Sequence, residues 1–195
     1  MTRRLNVLVL VMALAGCSSR ASNPGADAGA DAVAPGADAS NPAGYRFEPE
    51  GAPGTSAAVF LRAEKAVSAG GALWLEVVAQ KIGSLQGVAF RLTFDPGALE
   101  VLETEAGQAW QLSSTQNVHR FKVRPEGELW AGLGHVGTGS LSAVSPVTLA
   151  RVKVRPKGAA PIKIGFRAKH NLVLDTDGTA VETRWLGGEL RPVTE

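Results

Sequence analysis

With 195 residues and a net charge of +2, the chain has room for one ordinary domain with extensions, or two small ones. From Ala57 onward, 16 Lys plus Arg stand against 13 Asp plus Glu, an excess too small to point to a nucleic-acid partner. Cys17 is the only cysteine, which excludes an intrachain disulfide and any cysteine-based metal site.

The first segment, Met1 to Cys17, has Arg3 and Arg4 ahead of an apolar run from Leu5 to Leu14 that is broken only by Asn6. That run is too short to span a bilayer, where about 20 apolar residues are needed, but it has the length of a secretory h-region. Ala15 and Gly16 then lead directly into the cysteine. Leu14-Ala15-Gly16-Cys17 resembles the lipobox of bacterial lipoproteins, in which the signal is cut before the cysteine and the thiol is diacylated. The resemblance implies a signal peptide over residues 1–16 and lipid attachment at Cys17. Ser18, rather than Asp, after the cysteine implies the outer membrane of a bacterial envelope. The alternative is an ordinary secretory signal with a coincidental cysteine.

Residues 17–56 form the second segment, dominated by Ala, Gly, Pro, Asp and Ser, with Pro-Gly-Ala-Asp-Ala occurring twice, at 24–28 and 35–39. Almost no large apolar side chain precedes Tyr45 and Phe47, so nothing here offsets the entropy of ordering. The segment reads as a disordered tether of about 35 Å root-mean-square span. Tyr45 and Phe47 are placed to pin its end onto the domain that follows.

Short half-apolar runs fill residues 57–195. Ala58 to Ala63 is the first, and Ala72 to Gln80 the second, with Leu73, Leu75, Val77 and Ala79 on one side and Trp74 on the other. Val88, Phe90, Leu92 and Phe94 alternate with Ala89, Arg91 and Thr93 until Asp95-Pro96-Gly97 breaks the run. Leu99 and Val101 resume it as a return run. Val118, Arg120, Lys122 and Arg124 oppose His119, Phe121 and Val123; Leu129, Ala131 and Leu133 oppose Trp130. Ala150, Val152 and Val154 alternate with Arg151, Lys153 and Arg155, and Ile162, Ile164 and Phe166 with Lys163 and Arg167. Leu172 to Leu174, a turn at Asp175 to Gly178, and a run from Val181 to Pro192 complete the chain. About nine strands with turn signals every 8–12 residues, and no helical period, predict an antiparallel nine-stranded jelly-roll β-sandwich, all-β in class.

The order of these pieces resembles the cohesin family, related in fold to the carbohydrate-binding modules of cellulases. Carrying the resemblance are Leu73 to Val77, the run Gly87-Val88-Ala89-Phe90-Arg91-Leu92-Thr93-Phe94-Asp95-Pro96, Leu99 to Val101, Leu174 to Gly178 and Gly187 to Leu190. It implies a jelly-roll sandwich over most of residues 57–193 and a protein partner of the dockerin kind held on one sheet face, or, as in other members of the superfamily, a polysaccharide. A single copy behind a lipid anchor departs from the tandem arrays of classical scaffoldins.

No catalytic constellation accompanies this pattern, and an enzyme is not expected. His119, His135 and His170 stand in no metal-ligand spacing, and no G-x-S-x-G elbow or phosphate-binding loop occurs. Asp175-x-Asp177-Gly178 opens like an EF-hand, but Ala180 and Leu186 occupy the positions that need Gly and Glu; at most it offers a weak structural calcium site, and no other cofactor is expected. The candidate binding surface comprises Trp74 and Trp130, as flat apolar platforms, and Arg151, Lys153, Arg155, Lys163, Arg167 and Lys169, as a basic patch that forms if their two strands pair. The alternative is an ordinary solvated face whose Lys and Arg discourage edge pairing.

Overall fold

The structure, a computed structural model, describes residues 44–63, 67–68, 70–111, 116–137 and 141–193. The expected signal peptide, Cys17 and the first part of the tether lie outside these residues. The strands in chain order are β1 (Gly44–Pro49), β2 (Ala58–Ala63), β3 (Val67–Ser68), β4 (Leu73–Gln80), β5 (Ile82–Leu85), β6 (Gly87–Phe94), β7 (Leu99–Ala106), β8 (Gln116–Arg124), β9 (Glu128–Val136), β10 (Leu141–Ala143), β11 (Val147–Pro156), β12 (Ile162–Phe166), β13 (Leu172–Leu174), β14 (Arg184–Leu186) and β15 (Gly188–Val193), with one 3-10 turn at Gln108–Trp110.

They build an eight-stranded sheet in the order β3-β1-β15-β12-β6-β9-β8, with β13 also paired to β6, and a five-stranded sheet in the order β14-β2-β4-β11-β7. A small β10–β5 pair lies apart from both. Pairing is antiparallel except between β14 and β2. The all-β sandwich predicted from alternation is therefore present. Of the predicted runs only Val181 to Pro192 divides, into β14 and β15; β1, β3, β5 and β10 are short strands outside the predicted runs, so the strands are more numerous than nine.

Alternation decides what each sheet buries. Phe90, Leu92, Leu129, Ile162, Ile164 and Leu190 of the larger sheet meet Leu61, Leu75, Val77 and Val152 of the smaller one. Phe94 is only half-buried, while Phe166 closes one side of the core, edge-on to both Phe90 (5.9 Å) and Trp185 (5.1 Å). Trp110, brought inward by the 3-10 turn, is buried and donates its indole N–H to the Leu149 carbonyl at 2.9 Å.

Two expectations need correction. The segment read as tether up to Ser56 joins the sandwich from Gly44, because β1 pairs with β15 along its whole length and buries Tyr45. Two aromatic side chains at alternate positions sufficed to add a strand. The Asp95-Pro96-Gly97 turn forms as read, with the Asp95 carboxylate accepting the Gly97 N–H at 2.8 Å, yet it does not make a hairpin. It carries the chain from β6 in one sheet to β7 in the other, where β7 pairs with β11. One of the reverse crossings occurs at Gly187-Gly188, from β14 into β15. There a Cβ would overlap the Ile164 carbonyl at the first position and the Glu48 carbonyl at the second, so rigid backbone leaves room only for glycine at both.

Candidate functional site

The predicted patch divides between the two outer faces. β11 and β12 follow one another in sequence but belong to different sheets. The proviso on which the patch was built, that these strands pair, is not met. Trp74, Arg151, Lys153 and Arg155 face out from the five-stranded sheet. Lys163, Arg167 and Lys169 belong to β12 and the loop after it, on the eight-stranded side, as does Trp130 on β9. Trp74 and Trp130, both half-buried, form no common platform.

On the five-stranded sheet the cations of β2 and β11 are matched by acids of the neighbouring strands, while Arg184 of β14 has no carboxylate partner among the described residues. Arg151 lies opposite Glu105, Lys153 opposite Glu103 and Arg155 opposite Glu100, at 3.2, 3.5 and 3.5 Å, and Arg62 reaches the buried Glu76 at 2.5 Å. The Trp74 ring is covered by the Arg151 guanidinium at 4.5 Å and the Lys153 ammonium at 5.4 Å. This face is close to neutral, and its tryptophan already has partners.

The corner formed by β6, β9 and β8 is different. In β9, Leu129, Ala131 and Leu133 point into the core, which sends Glu128, Trp130, Gly132 and Gly134 outward. Register places Arg91 of β6 and Lys122 of β8 on either side of Trp130, and Ala89 and Arg120 on either side of Gly132. The result is a groove of about 670 Å³ with Trp130 as its wall, Ala89 and Gly132 as its low floor, and Arg91, Arg120 and Lys122 along it. His119 and His170 stand at the rim. A Cβ built on Gly132 meets open space, so packing does not demand glycine there; its smallness shapes the floor.

Trp130 is fixed. Its indole N–H donates to a Glu128 carboxylate oxygen at 2.7 Å, and the other oxygen of that buried carboxylate accepts from Arg167. Arg91 stacks on the ring at 4.2 Å, and Arg124 approaches at 5.1 Å. The loop following β12 is tied to the same place, since Asn171 accepts the Arg91 backbone N–H at 3.0 Å and the Arg167 N–H donates to the Arg91 carbonyl at 2.9 Å. That tie holds His170 at the rim in a left-handed conformation, φ 72°.

Charge distinguishes this groove. Arg124 pairs with Glu126 and Arg167 with Glu128, but Arg91, Arg120 and Lys122 have no carboxylate partner among the described residues. Arg91 on one side of β9 and Arg120 and Lys122 on the other, beside an aromatic wall, make a site that attracts negative charge. Of the groove's residues only Trp130 belongs to the predicted set. The alternation of Arg120 and Lys122 was legible in the sequence, but the adjacency of β8, β9 and β6 was not. A larger groove across β1, β15, β12 and the end of β6, about 970 Å³, has two of its acids engaged: Arg191 pairs with Glu48 at 3.1 Å and Glu189 at 2.7 Å.

Elsewhere, the Asp175 carboxylate accepts the Asp177 and Thr179 N–H groups at 2.9 and 2.8 Å, and Gly178 takes φ 74°, as a tight turn requires. No group of three or more His, Cys, Asp or Glu among the described residues is arranged to hold a metal.

No protein-family model matches the chain, and comparison with curated proteins gave no match. Solved structures do match. A type II cohesin domain from the cellulosome of Acetivibrio cellulolyticus superposes with a TM-score of 0.56 at 13% identity, over 68% of this chain and 94% of that one. The cohesin module of a Clostridium perfringens family 33 glycoside hydrolase gives 0.56 at 15% identity, over 72% and 98%. A type I cohesin–dockerin complex of Clostridium thermocellum gives 0.52 at 18% identity, over 64% and 86%. These similarities show the fold: the chain carries a jelly-roll sandwich of the cohesin type.

Proposed function

We propose that this protein is a non-catalytic binding module, lipid-anchored through Cys17 in the bacterial envelope, that holds an acidic protein partner on its β6–β9–β8 face. One observation carries the reading. Arg91, Arg120 and Lys122 converge, without a carboxylate partner among the described residues, on a groove with an aromatic wall and a low floor, whereas Arg62, Arg151, Lys153 and Arg155 of the five-stranded sheet are each matched by a neighbouring carboxylate. Positive charge without a carboxylate partner steers an acidic partner and fixes its register. The fold supports the same reading, because one similar solved structure is a cohesin–dockerin complex.

The test is capture from envelope extract on the immobilised full chain. The wild type is compared with Arg120→Glu/Lys122→Glu and with Arg151→Glu/Lys153→Glu. An acidic protein retained by the wild type and by the second variant, but reduced about tenfold by the first, supports the reading. Equal retention by all three overturns the assignment to this face.

A second reading, an anionic polysaccharide in the same groove, draws on the same three cations. Guanidinium groups already cover the Trp130 ring, which leaves less of it for a sugar to stack on. Affinity electrophoresis through gels containing acidic and neutral polysaccharides separates the two, since unchanged mobility in all of them removes the carbohydrate reading.

A further inference from the structure

The eight-stranded sheet ends at β8, and no described strand pairs with the outer side of that strand. β8 is nine residues long, and its register with β9 runs unbroken from Gln116 opposite Val136 to Arg124 opposite Glu128. A straight free edge of this length presents a row of N–H and C=O groups to any extended chain. The long edge of the other sheet, β7, is defended: its register with β11 shifts between Lys153 and Val154, and its glutamates are engaged by Arg151, Lys153 and Arg155. β8 has no such bulge, and it leaves Val118 44% and Val123 48% exposed.

What β8 does have is positive charge, and that charge selects its partner. When two copies of β8 pair antiparallel, residues on one face meet residues on the same face. With Phe121 on the two-fold axis, Arg120 faces Lys122; with Arg120 or Lys122 on the axis, each faces its own copy. Each of these registers sets like charges opposite one another, which disfavours a second copy centred on the cationic part of β8. A strand with Asp or Glu at every second position instead sets carboxylates against Arg120 and Lys122. Its intervening apolar residues then fall beside half-buried Phe121 and exposed Val123.

We propose that β8 takes up an extended segment of the partner, alternating acidic and apolar, as a further strand of the sheet. This deepens the reading of a protein partner on the β6–β9–β8 face and rests on it. The strand supplies main-chain hydrogen bonds, and the adjoining groove supplies charge.

Three synthetic nine-residue peptides of Asp and Val test it on the full chain: one strictly alternating, one alternating but N-methylated at every residue, and one with its Asp residues grouped. N-methylation keeps the charge and removes the ability to pair as a strand. The expected result is that the alternating peptide binds about tenfold more tightly than either control and slows amide hydrogen exchange in Gln116–Arg124. Equal binding of the alternating and N-methylated peptides overturns strand addition while leaving charge-led docking on the face intact. Failure of all three to bind overturns it as well, and the extract capture with Arg120→Glu/Lys122→Glu then decides the broader reading separately.

Discussion

Tyr45 is the only tyrosine in the chain, and it turns what looked like a tether into part of the fold. Burial holds its phenol above the ordinary value of about 10. Below that pH the phenol is protonated in both folded and unfolded chains, so its contribution to stability is fully present. As pH rises the unfolded chain ionises first, and stability falls until the folded phenol ionises too. Phenolate absorbance should therefore appear later than for free tyrosine and together with loss of the fold. Its hydroxyl has no hydrogen-bond partner among the described residues, so Tyr45→Phe should keep stability or raise it by about 1 kcal/mol in urea melts, and should flatten the alkaline decline. Gly127 makes the opposite case. It sits at φ 83° in the turn between β8 and β9, its carbonyl accepts the Phe94 N–H at 2.9 Å, and a Cβ there would overlap the Phe94 carbonyl. Gly127→Ala combines left-handed strain with a clash against rigid backbone, and should cost about 3 kcal/mol in the same melts.

The elements differ in how they treat charge, and that difference separates structure from function. The β7–β11 cross-strand pairs are half-exposed, so each contributes little; removing one, as in Lys153→Ala, should change stability by less than about 0.5 kcal/mol. Their effect is to neutralise the cations of β11. On β9, Gly132 occupies a strand interior where glycine is ordinarily unfavourable, yet open space lies above it. Gly132→Val should therefore leave thermal stability unchanged or slightly higher. It should also fill the groove floor and weaken retention of the captured partner about tenfold. A variant that loses stability and keeps the partner would remove Gly132 from the site.

At the scale of the whole molecule, the proposal joins a cohesin-type sandwich to an envelope by a lipid and a spacer. Two or three acyl chains make a stable anchor where one is marginal. Metabolic labelling with a fatty acid tests this directly: the wild type should carry label into the membrane fraction, and Cys17→Ala should carry none. Labelled Cys17→Ala would overturn attachment at that residue, whatever the sandwich binds.

The sequence determined the class of fold by itself, because alternation with period two is a local property that a half-buried strand imposes on its own residues. The runs around Val88 to Phe94 and Ala150 to Arg155 announce their strands without reference to any other part of the chain. It also determined the turns at Asp95-Pro96-Gly97 and Asp175 to Gly178, whose side chains bond to neighbouring backbone. Sequence cannot show which strands are neighbours, since pairing depends on where each turn sends the chain. The turn after β6 crosses between sheets instead of folding back, and the link from β11 to β12 does the same. Those two crossings dispersed the expected basic patch and neutralised half of it against Glu100, Glu103 and Glu105, while the pairing of β9 with both β6 and β8 brought Arg91, Arg120 and Lys122 together around Trp130. Charge along a strand is written in the chain, but whether it is paired or free is settled only by what the tertiary structure sets beside it.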